Sequence, residues 1–328
     1  MRLNVIFLNN DPSLLHCVFA ADIREKLGHP EIISPKSLSK QDLRNVEAIF
    51  STWGMPALSE DEIRARFPAL REVYYAAGSV QAFARPFLSS GVRVFSAWGA
   101  NAVPVAEFAV AQIVLANKGF FQSARSMKSR KRDAARDYAG DFPGNYDAAV
   151  GLIGCGMIGG LTAQMLRAYD LEVLAYDPYL SGARAQELGV TRCPLEELFS
   201  RCQTISNHLP DNERTRGMLD YNLFGRMKPN AAFINTGRGA QVVEADLIRA
   251  LKEEPGRTAL LDVTHPEPPA WGSALYSLPN VVLTPHIAGS MGNEVARMGE
   301  YMCLEYLSLR EGRAPQYEIT IEMLEVMA

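Results

Sequence analysis

Apolar positions in the first third of the chain fall into short uninterrupted runs, separated by stretches in which they recur at helical spacing. Leu3–Leu8, Ala48–Phe50, Glu72–Tyr75 and Val92–Phe95 read as buried strands. Pro12–Leu27 reads as a helix with Asp11 as its cap and Gly28 as its stop. Ser59–Phe67 and Ala82–Leu88 read as shorter helices. Strands without polar alternation, each followed by a helix, predict a parallel sheet covered on both faces.

A long apolar stretch, Val103–Phe121, carries only Glu107 and Lys118 as charges. Its length alone suits a membrane span. Gln112 and Asn117 recur along it with those charges, and a buried interface helix fits that pattern better. Gln122–Asp147 is rich in charge, with Arg125, Lys128, Arg130, Lys131, Arg132 and Arg136 offset by Asp133 and Asp137. Mixed signs at this density predict a solvated helix face rather than a nucleic-acid arm. Pro143 and Gly144 mark a turn.

The alternation then resumes. Ala149–Ile153, Glu172–Tyr176, Thr204–Asn207, Ala231–Asn235, Thr258–Val263 and Val281–Leu283 are the expected strands. Met157–Tyr169, Leu195–Arg201, Val243–Lys252 and Asn293–Leu309 are the expected helices. Six strands wound with helices match a dinucleotide-binding sheet.

Composition narrows the partners. The 328 residues suffice for two domains, and a net charge of -4 argues against nucleic acid as the main partner. Five cysteines without Cys-x-x-Cys spacing suggest neither a disulfide framework nor a metal cage. The apolar N-terminal run is too short for a signal peptide, so a cytoplasmic location is expected.

The sharpest chemical signal is Gly154-Cys155-Gly156-Met157-Ile158-Gly159, between a strand and a helix. The first glycine suits a tight turn, the second lets backbone approach a pyrophosphate, and Gly159 permits close helix–strand packing. Free amides at the helix N-terminus face the anion. Asp177, at the end of the next strand, can accept the adenosine ribose hydroxyls and would repel a 2′-phosphate, which favours NAD over NADP. Three further segments stand at strand ends: Asn235-Thr236-Gly237-Arg238-Gly239, Asp262-Val263-Thr264-His265-Pro266-Glu267-Pro268 and Thr284-Pro285-His286-Ile287-Ala288-Gly289. Together they offer an arginine for gripping a carboxylate and a histidine–carboxylate pair for proton transfer.

With Val105-Ala106-Glu107, His208-Leu209-Pro210 followed by Thr215, and Leu278-Pro279-Asn280, these segments occur in an order that resembles the D-isomer-specific 2-hydroxyacid dehydrogenases over essentially the full length. The resemblance implies an α/β protein of two Rossmann-like or flavodoxin-like domains with parallel sheets and an active-site cleft between them. Residues 1–100 with 292–328 would bind substrate, and residues 101–291 would bind NAD. It implies an NAD-dependent D-2-hydroxyacid dehydrogenase, acting as a 2-oxo acid reductase in one direction. Arg238 would bind the substrate carboxylate and carbonyl. His286 would exchange the proton, and Glu267 would hold His286. Ala77, Gly78 and Ser79 would contact the substrate carboxylate. Gly154, Gly156, Met157, Ile158, Gly159, Asp177, Leu209, Pro210, Thr215, Thr236, Gly237 and Asp262 would line the cofactor. A homodimer with the long helix near its interface is expected, and no metal.

After the first-domain glycine the chain reads Ser79-Val80-Gln81-Ala82-Phe83, without the acidic pair common in the family. The resemblance therefore leaves the choice of 2-oxo acid open. Trp53, Trp98 and Trp271 read as packing anchors. The alternative function is an NAD(H)-sensing protein on the same fold with little turnover. Retention of Arg238, Glu267 and His286 together weighs against it.

Overall fold

The computed structural model describes residues 4–128 and 132–325. Leu3 of the first expected strand, and Arg130 and Lys131 of the basic run, lie outside the described residues. The chain divides into two compact units, Met1–Ala102 with Ser290–Ala328, and Val103–Gly289.

In the first unit, strands β1 (Val5–Leu8), β2 (Glu31–Ile33), β3 (Ala48–Ser51), β4 (Glu72–Tyr75) and β5 (Arg93–Ser96) pair in parallel in the order β2-β1-β3-β4-β5. Residues Glu318–Ile319 of the returning C-terminal segment add an antiparallel edge to β5. The winding reverses between β1 and β3, which places a topological switch point at their carboxyl ends. Phe50, Tyr74 and Phe95 are register partners on adjacent strands, and their rings stack at 4.6 and 4.8 Å. Tyr306, from the helix Val295–Arg310, closes edge-on over Phe50 and Tyr74.

The single helix expected over Pro12–Leu27 is two, Pro12–Val18 and Ala21–Leu27. Phe19 leaves the helix in an extended conformation and buries fully against Phe7 and Phe50. Burial of the ring outweighs helix continuity there. The strands at Glu31–Ile33 and Glu318–Ile319 were not expected from the sequence, because two or three residues at a sheet edge establish no period.

In the second unit, β6 (Tyr146–Ile153), β7 (Asp170–Tyr176), β8 (Thr191–Arg192), β9 (Thr204–Asn207), β10 (Ala232–Asn235), β11 (Thr258–Leu261) and β12 (Val281–Leu283) form one parallel sheet, ordered β12-β11-β10-β9-β6-β7-β8. It therefore has seven strands where six were expected; the additional β8 is a two-residue edge. The switch point lies between β6 and β9. The helix Gly182–Leu188, also not expected, is capped by the Ser181 hydroxyl and by left-handed Gly189.

The long apolar stretch starts earlier and ends earlier than its pattern suggested, at Trp98–Asn117. The helix is long and apolar enough to cross a membrane, yet Val105, Ala106, Ala109, Ile113 and Ala116 are buried inside the protein. Ile113 packs with Val150, Leu152, Ile234 and Leu260 in the core of the second unit. Gly119, at φ +65°, then breaks the chain direction, and a Cβ there would strike the Phe142 ring. The charged region that follows forms Phe120–Met127 and Arg132–Ala139.

One buried charge cluster ties the returning segment to the first unit. Glu72 is 5% exposed; it accepts a hydrogen bond from the Tyr74 hydroxyl at 2.8 Å and pairs with Arg310 at 2.5 Å. Arg93 holds Glu318 through two parallel bonds of 2.8 Å. Removing one partner of such a pair strands the other's charge. Arg310→Met is expected to destabilise the first unit by about 3 kcal/mol. Glu72→Gln combined with Arg310→Met should recover part of that loss. Denaturant unfolding followed by tryptophan fluorescence, in which Trp53 and Trp98 report on this unit, measures both.

Candidate functional site

Parallel pairing brings the carboxyl ends of β6, β7, β9, β10, β11 and β12 to one edge of the second sheet. Each end runs directly into a segment singled out in the sequence.

After β6, Gly154 adopts φ +85°, and its amide donates to the Tyr176 carbonyl at 2.8 Å. A Cβ at Gly159 would lie 1.9 Å from the Gly154 carbonyl oxygen, so no side chain fits between helix and loop. At Gly156 a Cβ would meet nothing within 4 Å. The loop is thus packed solid below and open above, at the N-terminus of the helix Met157–Leu166. That shape, at the free amides a helix N-terminus leaves, fits a dinucleotide pyrophosphate. Met157 is exposed and Ile158 half-buried beside it. Asp177, after β7, accepts hydrogen bonds from the amides of Cys155 and Tyr179, each 2.8 Å. The acid marked for the ribose therefore also braces the glycine loop.

His208, Leu209 and Pro210 follow β9. His208 is buried, and its Nε2 has no partner among the described residues. Burial pushes its pKa down to about 4, so the ring is neutral at neutral pH. Its Nδ1 lies 3.4 Å from the Thr236 hydroxyl, after β10. Thr215 donates its hydroxyl to the Pro210 carbonyl at 2.6 Å and closes that loop.

A network of amide side chains joins the ends of β9 and β10, and the sequence reading missed its role. Gln241 is fully buried. Its amide nitrogen donates to the carbonyls of Leu209 and Pro210 at 2.7 and 2.9 Å. Its oxygen accepts from Asn207 at 2.5 Å and from the Arg238 amide at 3.2 Å. Asn207 also donates to Asn235, whose oxygen accepts the Gly237 amide and whose nitrogen reaches the Arg238 carbonyl. No periodicity marks these residues; the available signal was a glutamine between apolar neighbours.

The network fixes the backbone of Arg238. Its guanidinium is half-buried and donates to the Gly237 carbonyl at 2.7 Å. Burial pulls its pKa down, against the opposing effect of the Glu267 and Asp211 carboxylates. No carboxylate pairs with it directly among the described residues. An arginine stays charged regardless, so this one is a partly desolvated cation suited to an incoming anion.

β11 and β12 supply the other pair. His286 Nδ1 lies 2.7 Å from Glu267 Oε1, with both side chains nearly half exposed. Asp262, 3% exposed, organises the loop that carries the histidine. Its carboxylate accepts from the Thr284 hydroxyl at 2.5 Å and from the amides of Ile287 and Ala288 at 2.9 and 2.8 Å. Its carbonyl accepts from the His286 amide at 3.0 Å. His286 stands at φ +56°, a region most side chains avoid.

Ala77, Gly78 and Ser79 belong to the first unit, just beyond the carboxyl end of β4. Ser96 Oγ donates to the carbonyls of Ala77 and Gly78 at 2.9 and 2.6 Å. The amides of Gly78 and Ser79 have no acceptor among the described residues. His265, after β11, makes no hydrogen bond to the His286–Glu267 pair among the described residues.

A family model described as "D-isomer specific 2-hydroxyacid dehydrogenase, NAD binding domain" matches residues 110–288, over half of the chain. D-3-phosphoglycerate dehydrogenase of Archaeoglobus fulgidus is 31% identical over 235 residues, which are 72% of this chain and 44% of that protein. The enzyme of the same name from Mycobacterium bovis is 36% identical over 213 residues, 64% of this chain and 39% of that protein. The chain thus matches less than half the length of these relatives. Among solved structures, D-mandelate dehydrogenase of Rhodotorula graminis superposes with a TM-score of 0.77 at 21% identity, covering 97% of this chain and 98% of that one. D-lactate dehydrogenase of Lactobacillus jensenii, solved with NAD+, gives 0.76 at 21% identity, covering 96% and 99%. At that identity they establish the two-domain α/β fold. The chain belongs to the D-isomer-specific 2-hydroxyacid dehydrogenase family, and its cofactor is NAD.

Proposed function

We propose that the protein interconverts a 2-oxo acid and the matching D-2-hydroxy acid with NAD(H). One observation supports this reading above the others. A histidine hydrogen-bonded to a carboxylate and an arginine with no ion-pair partner among the described residues stand on neighbouring strand ends of the sheet that carries the glycine loop. When bound, NAD supplies or accepts the hydride at substrate C2.

Arg238 holds the substrate carboxylate and polarises its carbonyl. The protonated His286 keeps its Nδ1–H on Glu267 and presents Nε2–H to the carbonyl oxygen. During reduction that proton passes to the oxygen, leaving a neutral imidazole; in oxidation it returns. Glu267 selects the ring orientation. In the first unit, the amides of Gly78 and Ser79 take the substrate carboxylate. Gly154, Gly156, Met157, Ile158 and Gly159 would hold the cofactor pyrophosphate and Asp177 its ribose. Leu209, Pro210 and Thr215 would flank its adenosine, with Thr236, Gly237 and Asp262 nearer the nicotinamide. A homodimer is the assembly this reading carries, its interface on the helix face bearing Leu115 and the adjoining Phe120, 38% and 50% exposed. The five cysteines are free, in keeping with a cytoplasmic setting.

Arg238→Ala should weaken 2-oxo acid use by about 2–5 kcal/mol in kcat/KM, the range for truncating one partner of a buried charged pair. NADH affinity, measured by fluorescence titration, should stay within about threefold; an equal loss of both would remove the arginine from the substrate. His286→Ala should lower kcat by about 10²–10⁴-fold, the size of general acid–base effects. Asp177→Ala should raise the use of NADPH relative to NADH in steady-state assays. Binding of NADH by the wild type with no oxidation by any 2-oxo acid would leave a dinucleotide sensor in place of the enzyme.

A further inference from the structure

The strands that flank β6 in the second sheet are β7 and β9, so the segments leaving them stand on either side of the glycine loop. Asp177 begins the first segment. Its carbonyl accepts the Leu180 amide at 3.2 Å, and Leu180 is buried in the core of the unit. That turn directs Tyr179 outward, 76% exposed. In the second segment the Asn212 carbonyl accepts the amides of Thr215 and Arg216 at 3.0 and 3.1 Å. The Asn212 side-chain oxygen accepts the Arg214 amide at 3.0 Å. Thr215 is buried in this turn and Arg214 beside it is exposed. A guanidinium nitrogen of Arg214 then donates to the Tyr179 hydroxyl at 2.8 Å. The contact joins the segment after β7 to the segment after β9, the two neighbours of the strand that carries the glycine loop.

The charges around this contact decide what it can hold. Arg216 pairs with Asp211 at 2.8 Å, and Arg184 with Glu187 at 2.6 Å. Arg214 has no carboxylate within ion-pair distance among the described residues, and its side-chain partner is a phenol hydroxyl. A guanidinium carries five N–H donors, and one bond to a phenol leaves capacity for an anion that takes two in parallel. Asp177 is held differently. One carboxylate oxygen accepts the Cys155 amide and the other the Tyr179 amide, each at 2.8 Å. Both oxygens are tied to backbone, so the acid cannot turn away from an anion laid beside it. A 2′-phosphate on the adenosine ribose therefore meets a fixed carboxylate, and it has a cation to meet on the facing segment. Bidentate bonding to phosphate is stronger than a bond to a phenol, so the guanidinium exchanges one for the other.

We infer that Arg214 is a specificity residue for the cofactor: it supplies the cation for a 2′-phosphate and limits how strongly Asp177 excludes NADPH. Tyr179 holds the guanidinium ready while no phosphate is present. NADH carries a hydroxyl at that position and gains nothing from the charge. The inference rests on the adenosine ribose lying at Asp177, as proposed above, and it concerns the second unit alone.

The test is the Kd of NADH and of NADPH, by fluorescence titration without any 2-oxo acid. The proteins are wild type, Arg214→Ala, Arg214→Lys, Asp177→Ala and the double variant Asp177→Ala/Arg214→Ala. Arg214→Ala should weaken NADPH by about 10-fold, the size of one charge-assisted bond, and leave NADH within about threefold. Asp177→Ala should tighten NADPH relative to NADH, and the double variant should lose that gain by about 10-fold, a comparison that holds even where wild-type NADPH binding is weak. Arg214→Lys should keep part of the NADPH affinity. Added salt should weaken NADPH more than NADH in the wild type, and both alike in Arg214→Ala. Equal weakening of the two cofactors by Arg214→Ala would show an arginine that stacks on adenine or merely holds its loop, and would overturn the inference. NADPH binding that is the same in Asp177→Ala and in the double variant would overturn it while leaving the ribose at Asp177. A NADPH-to-NADH ratio unmoved by Asp177→Ala would remove the ribose from that acid and overturn both.

Discussion

Asp262 is a carboxylate almost without access to water, and everything it accepts comes from one loop. Two backbone amides and a hydroxyl converge on it, while its own carbonyl takes the amide of His286. Hydrogen bonds to a charged acceptor contribute about 1.5–3 kcal/mol each. A left-handed non-glycine residue costs about 1–3 kcal/mol. The balance favours the strained histidine, so the loop after β12 folds back beside β11 and brings His286 to Glu267. If Asp262 lost its charge, the backbone conformation that orients the imidazole would lose its main support.

The same economy holds one strand over. Among the described residues Arg238 has no carboxylate in ion-pair contact to fix its place, and a guanidinium free to rotate would grip nothing in a defined geometry. Its backbone is instead fixed by Gln241 and Asn235, which are themselves joined through Asn207. The cation is held by its main chain and left with side-chain capacity to spare. Placing dipoles and charges before the ligand arrives avoids reorganisation during the reaction, which is where electrostatic sites gain most of their effect.

Much of this arrangement was legible in the chain. The glycine loop, Asp177, Arg238, Glu267 and His286 each sit directly after an apolar run, and parallel pairing of those runs suffices to gather the second unit's members along one edge. Phe19 could not be read as a helix breaker, because its preference is set by the space beside Phe7 and Phe50 rather than by its neighbours in sequence. The edge strands Glu31–Ile33 and Glu318–Ile319 lacked the length to declare a period. Gln241 and Asn207 were invisible for a related reason: a buried amide is recognised only by partners that are remote in sequence. Trp53 was read as a packing anchor because its size favours burial, whereas the turn that carries it keeps it at the surface.

The two sets of residues differ in how freely they can change. Gln241, Asn207 and Asn235 are bonded to one another, and Asp262 to the loop that carries His286, so altering any of them leaves a buried donor or acceptor unpaired. Trp53 is different. Asn9, Asn10 and Met55 hold the backbone around it, and none of the hydrogen bonds that fix the turn involves its side chain. Its side chain can therefore be exchanged without disturbing the hydrogen bonds of the turn.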